Sequence, residues 1–451
     1  MDDVYLTYLL TGILAAITLI PFIGLLRKRN ADLFEPIYWA SAYFFLLFVI
    51  RPFFDITLGS PFLGDFPFDE KTQFAFIKAL FLLAPCFLAF LVGYYSHFGK
   101  AAAKVLPVIP RTWSEKKFNF FWPVIVAIGL LSYYLLIRFH GGIEYFVSPK
   151  RDILTRAGQG YLRLGVSLIL FTFALSATRT MATGKGKVPT FAILLTIVLT
   201  IGFFSGKKRE FLLPILILLV VWHYLKSQIR LRGLALFIVC VFLSFPIFKA
   251  YRRQSLLNLP EAIPTIVQSH PVSKSLISRF YGIDSLTIII RDTPEVMNYQ
   301  YGATFASLAV VWIPRQIWPE KPIVTFGKTF AQTYFRERFE GTGIAASPTI
   351  LGEAYINFHF AGMLWISLLC GLFVRGVYEY LIHLNFGPPA VFVYSCVFLF
   401  LFKFWESAIA GIISAKFGLY FLSAIVLVIL IGKRKHISNL KTVHKTLCEE
   451  F

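Results

Sequence analysis

Long apolar runs broken by short clusters of charge set the rhythm of this chain. A window of about 20 residues, the length a helix needs to cross a bilayer, finds about eleven apolar segments. They lie near 4–26, 37–54, 74–97, 119–138, 162–180, 189–206, 211–226, 233–250, 356–378, 389–405 and 414–432. Arg51 and Pro52 interrupt the end of the second. Only Gly206-Lys-Lys-Arg-Glu210 parts the sixth from the seventh, which predicts a tight hairpin. Hydrocarbon offers the backbone no water to bond, so spans of this kind are helical. The predicted fold class is all-α: a polytopic membrane protein of about eleven transmembrane helices, with one long outward-facing loop that is partly helical. Residues 1–250 form an N-terminal membrane bundle, 251–355 the long loop, and 356–451 a C-terminal bundle with a basic tail.

The loop is too long to be structureless in a compact protein. Within it, Leu276, Phe280, Ile283 and Ile290 share one helical face, opposite Lys274, Ser278, Tyr281 and Ser285. That spacing predicts an amphipathic helix over 274–290 lying along the membrane surface. Thr304 to Ile313 is apolar up to Pro314 and predicts a second surface helix or a re-entrant one. No internal repeat is evident, which counts against transporter folds built from paired repeats.

Lys and Arg concentrate in alternate short loops. One set holds Arg27-Lys28-Arg29, then Lys100, Lys104, Arg111, Lys116 and Lys117, then Arg179, Lys185 and Lys187. It continues with Lys226, Arg230 and Arg232, and ends in the tail with Lys433, Arg434, Lys435, Lys441 and Lys445. Positive charge in short loops marks the cytoplasmic side, so the N-terminus is expected outside and the C-terminus inside.

Composition agrees. The chain is 57% hydrophobic and 15% charged, whereas a soluble domain carries about 25% charge. The net charge of +20 is spread between apolar blocks, which reads as flanking charge rather than a surface for nucleic acid. Cys86, Cys240, Cys370 and Cys396 sit in apolar runs and Cys448 in the tail, with no CxxC pair and no Cys/His cluster. No disulfide framework, metal or cofactor is expected. Asp2 and Asp3 make the start acidic, unlike a signal peptide.

Three outward regions break the charge rule. The loop after the fourth window holds Lys150, Arg151, Arg156 and Arg163; the hairpin holds Lys207, Lys208 and Arg209; the long loop adds Arg279, Arg291, Arg315, Lys321 and others. Acidic residues on that face are few, chiefly Asp152, Glu210, Asp284, Asp292, Glu320, Glu337, Glu340 and Glu353. Cations at the bilayer edge cost free energy and imply a charged partner, either anionic headgroups or a bound anion such as a pyrophosphate.

The most distinctive text is Trp312-Ile-Pro-Arg-Gln-Ile-Trp-Pro-Glu-Lys-Pro322. Its prolines fix φ and remove donors, so it predicts a stiff, non-helical loop from which Arg315 and Lys321 project beside Trp318. Gly341-Thr-Gly-Ile-Ala-Ala-Ser-Pro-Thr-Ile-Leu-Gly-Glu-Ala-Tyr355 follows, with Thr349 and, at the mouth of the next span, Glu353. Glu353 is either a base or the cap of its own helix.

The pattern IPRxxWPxKP followed by GxxxSPTxxGE resembles the Wzy-type polymerases of O-antigen and related polysaccharides, closest to the branch that makes enterobacterial common antigen. The likeness covers the architecture loosely and 279–355 more closely, and extends to Ser205-Gly-Lys-Lys-Arg209. It implies a multi-pass bacterial inner-membrane enzyme joining undecaprenyl-pyrophosphate-linked oligosaccharide repeat units at the periplasmic face. It also implies no metal, a relation to O-antigen ligases, and a Wzz-type chain-length co-polymerase as partner. The leaving group gains negative charge as the glycosidic bond breaks, so positioned cations must stabilise it. Arg209, Arg279 and Arg315 are the catalytic cations expected, and Glu353 the base for the acceptor hydroxyl. Lys208, Lys321, Arg156, Trp318, Thr349, Tyr281 and Asp284 are expected to contact substrate. Asp284, His270 and His140 are the alternative bases, and any of Lys207, Lys208 and Arg209 can take the hairpin position. An O-antigen ligase would use the same cations. A lipid-linked oligosaccharide flippase or other transporter would place ionisable residues at mid-membrane, and those inside the spans here are few (Lys78, Arg375 and Lys403).

The alternation makes a direct prediction. In a background lacking the native cysteines, a single cysteine at Ser347 labels with an impermeant thiol reagent from outside and one at Thr183 does not. The reverse labelling would move the loop to the other face.

Overall fold

A computed structural model describes residues 2–27, 31–53, 69–142, 160–183, 188–205, 207–253, 280–310, 326–336, 346–412 and 418–433, with Ile313, Ile317, Trp318 and Glu320. They are almost wholly helical. In chain order the first nine helices are α1 (Asp2–Arg27), α2 (Pro36–Phe48), α3 (Glu70–Tyr95), α4 (His97–Val105), α5 (Glu115–Phe139), α6 (Gly160–Thr183), α7 (Val188–Phe204), α8 (Lys208–Leu225) and α9 (Leu231–Arg253). Then come α10 (Gly282–Asp292), α11 (Ala303–Ala306), α12 (Phe326–Tyr334), α13 (Ile350–Tyr378), α14 (Pro388–Val397), α15 (Phe400–Lys403), α16 (Ile409–Ile412) and α17 (Gly418–Ile431). Thr112–Trp113 and Gly432–Lys433 pair as a two-residue antiparallel ladder.

Every predicted window holds a helix. Among the described residues seven helices are long and apolar enough to cross a membrane. Val188–Phe204, Leu231–Phe242 and Tyr420–Ile431 are apolar but shorter, and α8 opens with Lys208, Arg209 and Glu210. This is an all-α membrane protein.

The central packing is α3 against α13. A Cβ on Gly93 would lie 2.2 Å from the Leu368 carbonyl oxygen, and one on Gly371 2.2 Å from that of Phe90. Only glycine lets the two backbones approach so closely, a seam of the kind that joins helices in lipid. The hairpin is as tight as expected: a Cβ on Gly202 would meet the Glu210 carbonyl oxygen at 2.6 Å.

The loops richest in Lys and Arg share one end of the bundle. There Asp32 accepts from Phe34 N–H, from the Tyr224 hydroxyl at 2.6 Å and from the Tyr378 hydroxyl at 2.7 Å, and lies 3.1 Å from His223 Nε2. Burial opposes its ionisation, but the His223, Tyr224 and Tyr378 donors outweigh it and hold the carboxyl below its ordinary range. Arg375 bridges Glu35 at 3.4 Å and Glu379 at 2.8 Å. A pocket of about 400 Å³ opens beside Asp32 and His223. Four donors already surround that carboxylate, so the cluster ties α2, α8 and α13 together.

Three expectations about the long loop are corrected. Residues 282–292 do form a helix, but α10 is buried on nearly every side, with Ile283, Leu286, Ile288 and Ile289 fully enclosed. It packs against α2, α3 and α13 rather than lying on a surface, and its acid Asp284 finds a partner inside in Arg51. Among the described residues of Thr304 to Ile313, helix is confined to the short α11 and a single 3-10 turn over Ser307–Ala309. And α13 starts at Ile350, six residues before the window's 356, because Thr349 caps it there.

The α3–α13 seam predicts that Gly371→Ala lowers stability by at least about 1–3 kcal/mol, the usual cost of overpacking. Gly24 of α1 has nothing within 4 Å of its Cβ position, so Gly24→Ala leaves thermal unfolding in detergent unchanged or slightly improved. Equal melting of the two variants would show that the seam is not close-packed.

Candidate functional site

The end of the bundle opposite Asp32 carries a connected belt of polar groups. Arg209, in the first turn of α8, donates through Nη2 to Glu210 Oε1 at 2.8 Å. Tyr420 of α17 and Glu406 lie within electrostatic reach of its guanidinium. Tyr420 meets Ser167 Oγ of α6 at 3.4 Å.

Glu406 is available because the chain breaks after α15. A 3-10 turn over Phe404–Glu406 gives way to an extended Ser407 before α16 begins. Lys403 Nζ reaches Glu406 Oε2 at 3.2 Å, and the Tyr43 hydroxyl donates to the same oxygen. The Ser347 hydroxyl donates to the Glu406 carbonyl. Three residues past that turn, Ile409 N–H at the start of α16 donates to Glu353 Oε2 at 2.5 Å.

Glu353 itself comes from the first turn of α13. The cap of that helix is Thr349, whose hydroxyl accepts from Gly352 N–H at 3.0 Å. Thr349 is buried at φ +63°, an unusual conformation for a β-branched residue. So Glu353 does not cap its own helix; it caps a neighbouring turn. Its side chain is 0% exposed, and Oε1 is buried without a hydrogen bond of good geometry among the described residues. The Thr304 hydroxyl approaches the carboxylate. Asn357 Nδ2 donates to Thr304 Oγ1 and to the Glu353 carbonyl, both at 2.7 Å. A buried carboxylate oxygen without a well-formed hydrogen bond is costly, and such groups concentrate where chemistry or binding happens.

The other predicted residues fall in three groups. Lys208 sits beside Arg209 at the head of α8. Asp284 and Tyr281 open α10, away from any free acceptor role for the acid: Asp284 is fully buried in a two-pronged ion pair with Arg51, at 2.8 and 3.3 Å. Arg51 contacts both carboxylate oxygens, an arrangement that anchors α10 to the segment after α2. His140 is likewise local, with Nδ1 2.7 Å from the Leu136 carbonyl. Trp318 is 38% exposed beside the more exposed Ile317. Arg156, His270, Arg279, Arg315 and Lys321 lie outside the described residues.

Several described cations of this end are matched by acids. Arg209 pairs with Glu210, Lys403 with Glu406, Arg51 with Asp284, Arg291 with Asp292 and Lys71 with Glu295. No group of three or more His, Cys, Asp or Glu among the described residues is placed to hold a metal.

Sequence reasoning passed over Glu406, Tyr43, Tyr420, Thr304 and Asn357. Glu406 did carry a signal, as the only acidic residue between Glu379 and Glu449. The others are ordinary polar residues until folding gathers them. Comparisons with protein-family models, with curated proteins and with solved structures found no match.

The Arg51–Asp284 pair yields a stability test. Asp284→Asn removes the acid of a buried ion pair, which costs about 3–5 kcal/mol, read as a lost monodisperse fraction in detergent. Arg51→Met with Asp284→Leu removes both charges and restores it. A well-folded Asp284→Asn protein without activity would instead return Asp284 to the chemistry.

Proposed function

We propose that this chain is an inner-membrane glycosyltransferase that polymerises undecaprenyl-pyrophosphate-linked oligosaccharide repeat units into a surface polysaccharide. The observation that carries the reading is Glu353. Its carboxylate is held at one oxygen by Ile409 N–H, while the other is buried without a well-formed hydrogen bond among the described residues. It lies in the same belt as Arg209 and Glu406, at the end of the bundle that the long loop joins.

In this mechanism Glu353 takes the proton of an acceptor sugar hydroxyl. The hydroxyl oxygen bonds to the anomeric carbon of the donor chain, and the bond from that carbon to the pyrophosphate breaks. The electron pair leaves with the lipid pyrophosphate. Arg209 is proposed to stabilise that growing charge. Arg279, Arg315 and Lys321 are proposed to join it, with Arg forks gripping phosphate oxygens in pairs. The spacing of IPRxxWPxKP and GxxxSPTxxGE supports the same reading, as does a hairpin cation, Arg209, in the same belt as Glu353. A chain-length co-polymerase is the proposed partner, and the growing polymer leaves on the periplasmic side.

The test uses purified protein in liposomes with lipid-linked repeat units. A ladder of polymer forms, and forms equally in excess EDTA. Glu353→Gln retains a carbonyl oxygen for Ile409 N–H but cannot take a proton, so turnover falls by about 10²–10⁴ at unchanged folding. No ladder from the wild-type protein would overturn the proposal, and a Glu353→Gln variant near wild-type rate would leave Glu353 as a tether.

A further inference from the structure

A second cluster adjoins Glu353 that the mechanism above does not use. α13 is broken after two turns: Phe358 leaves helical geometry and His359 sits at φ +56°. The break frees the Ile356 carbonyl, which accepts from Gln300 N–H at 2.9 Å. Gly302 N–H donates to Asn357 Oδ1, also at 2.9 Å. These bonds latch the 298–304 turn onto α13, with Tyr301 at φ +45° and Gly302 at φ +92°. A Cβ on Gly302 would stand 3.0 Å from the Phe358 ring, so the fit is close.

The latched turn gathers aromatic rings. Tyr299 lies 6.1 Å from Tyr301 and 6.0 Å from His359, centroid to centroid, and His359 lies 4.8 Å from Tyr355. The Tyr355 hydroxyl is 3.3 Å from His359 Nε2. Beneath them Lys78, a cation inside an apolar window, holds its Nζ 5.9 Å from the Tyr355 ring centre. Tyr355 is enclosed, whereas Tyr301 is 81% exposed and His359 is exposed as well. Asn357 connects this cluster directly to Glu353 and Thr304.

We infer that Tyr299, Tyr301 and His359 form a glycan-binding subsite beside Glu353, in which a pyranose ring stacks on the exposed Tyr301. This rests on the reading of the protein as one that acts on glycans. The face of an aromatic ring is negative, and the C–H groups on one face of a sugar ring are weakly positive, so the two stack. His359, the Tyr299 hydroxyl, Asn298 and Gln300 supply donors and acceptors around the ring for sugar hydroxyls. A simple interfacial anchor would place Tyr rings at the headgroup level, but it has no need of a turn held in two left-handed positions and bonded to the helix that carries Glu353. A non-glycine residue held at positive φ, as Tyr301 is, is uncommon and concentrates at sites where position matters. The subsite would hold the acceptor, bringing its hydroxyl toward Glu353.

The test uses the full-length protein in detergent. Its probe is the water-soluble oligosaccharide released by mild acid from the lipid-linked units of the polymerisation assay. Saturation transfer reaches the sugar C–H protons in the wild type. Tyr301→Ala, at an exposed position that leaves folding intact, weakens affinity about tenfold, as an aromatic contact of this size implies. Tyr301→Trp keeps the platform and restores binding. In the polymerisation assay Tyr301→Ala raises KM for the acceptor by a similar factor. Polymerisation with oligosaccharide affinity and KM unchanged in Tyr301→Ala would refute the subsite while leaving the polymerase reading standing. Tyr301-dependent binding without polymerisation would do the opposite. Loss of membrane retention in Tyr301→Ala, with sugar affinity unchanged, would make the cluster an interfacial anchor and overturn the inference.

Discussion

The backbone contact between α3 and α13 is the constraint from which the rest follows. Gly93 and Gly371 face each other's helices with no room for a Cβ. Helices in lipid gain little from the hydrophobic effect and associate through close packing instead. That contact fixes the relative height of two long helices, and each end of the pair then carries a polar cluster. At one end Tyr94 and Arg375, one from each helix, meet at Glu35. At the other, α10 is clasped between the same two helices, and Glu353 opens α13.

Charge is managed by pairing. Arg51 and Asp284 illustrate the logic: neither is tolerable alone in an apolar interior, and together they satisfy both oxygens of the acid. The in-window cations obey it too. Lys403 meets Glu406, and Arg375 meets Glu35 and Glu379. Against that background Glu353 is the departure, a fully enclosed acid tied to a backbone N–H rather than to a cation. Lys78 is the second departure, resting on a tyrosine ring.

Breaks in helices place both departures. The interruption between α15 and α16 turns Ile409 N–H toward Glu353 and sets Glu406 near Arg209. The kink at Phe358 and His359 frees the carbonyl that captures the 298–304 turn. In both cases a backbone group released from the helical ladder is satisfied by a neighbouring segment, as burial requires. Uninterrupted helices would have no such groups to offer, so the belt exists because the spans are imperfect.

Much of the architecture was legible in the sequence because hydrophobic length and charge alternation are local properties. The windows located the helices, and the close approach of α7 and α8 followed from the shortness of their connection. Glu353 was legible as a candidate from its place beside small residues. What the sequence could not determine was which polar residues meet. α10 looked amphipathic from its spacing, yet it is buried, because Arg51, more than two hundred positions away, supplies the charge that Asp284 needs. Glu353 looked like its own helix cap, yet Thr349 holds that place and Ile409 claims the acid. Tyr43, Thr304, Asn357 and Glu406 carried no shared pattern along the chain. Their meeting depends on helix kinks and on glycine-set distances between helices, and such long-range contacts are decided only when the whole bundle packs.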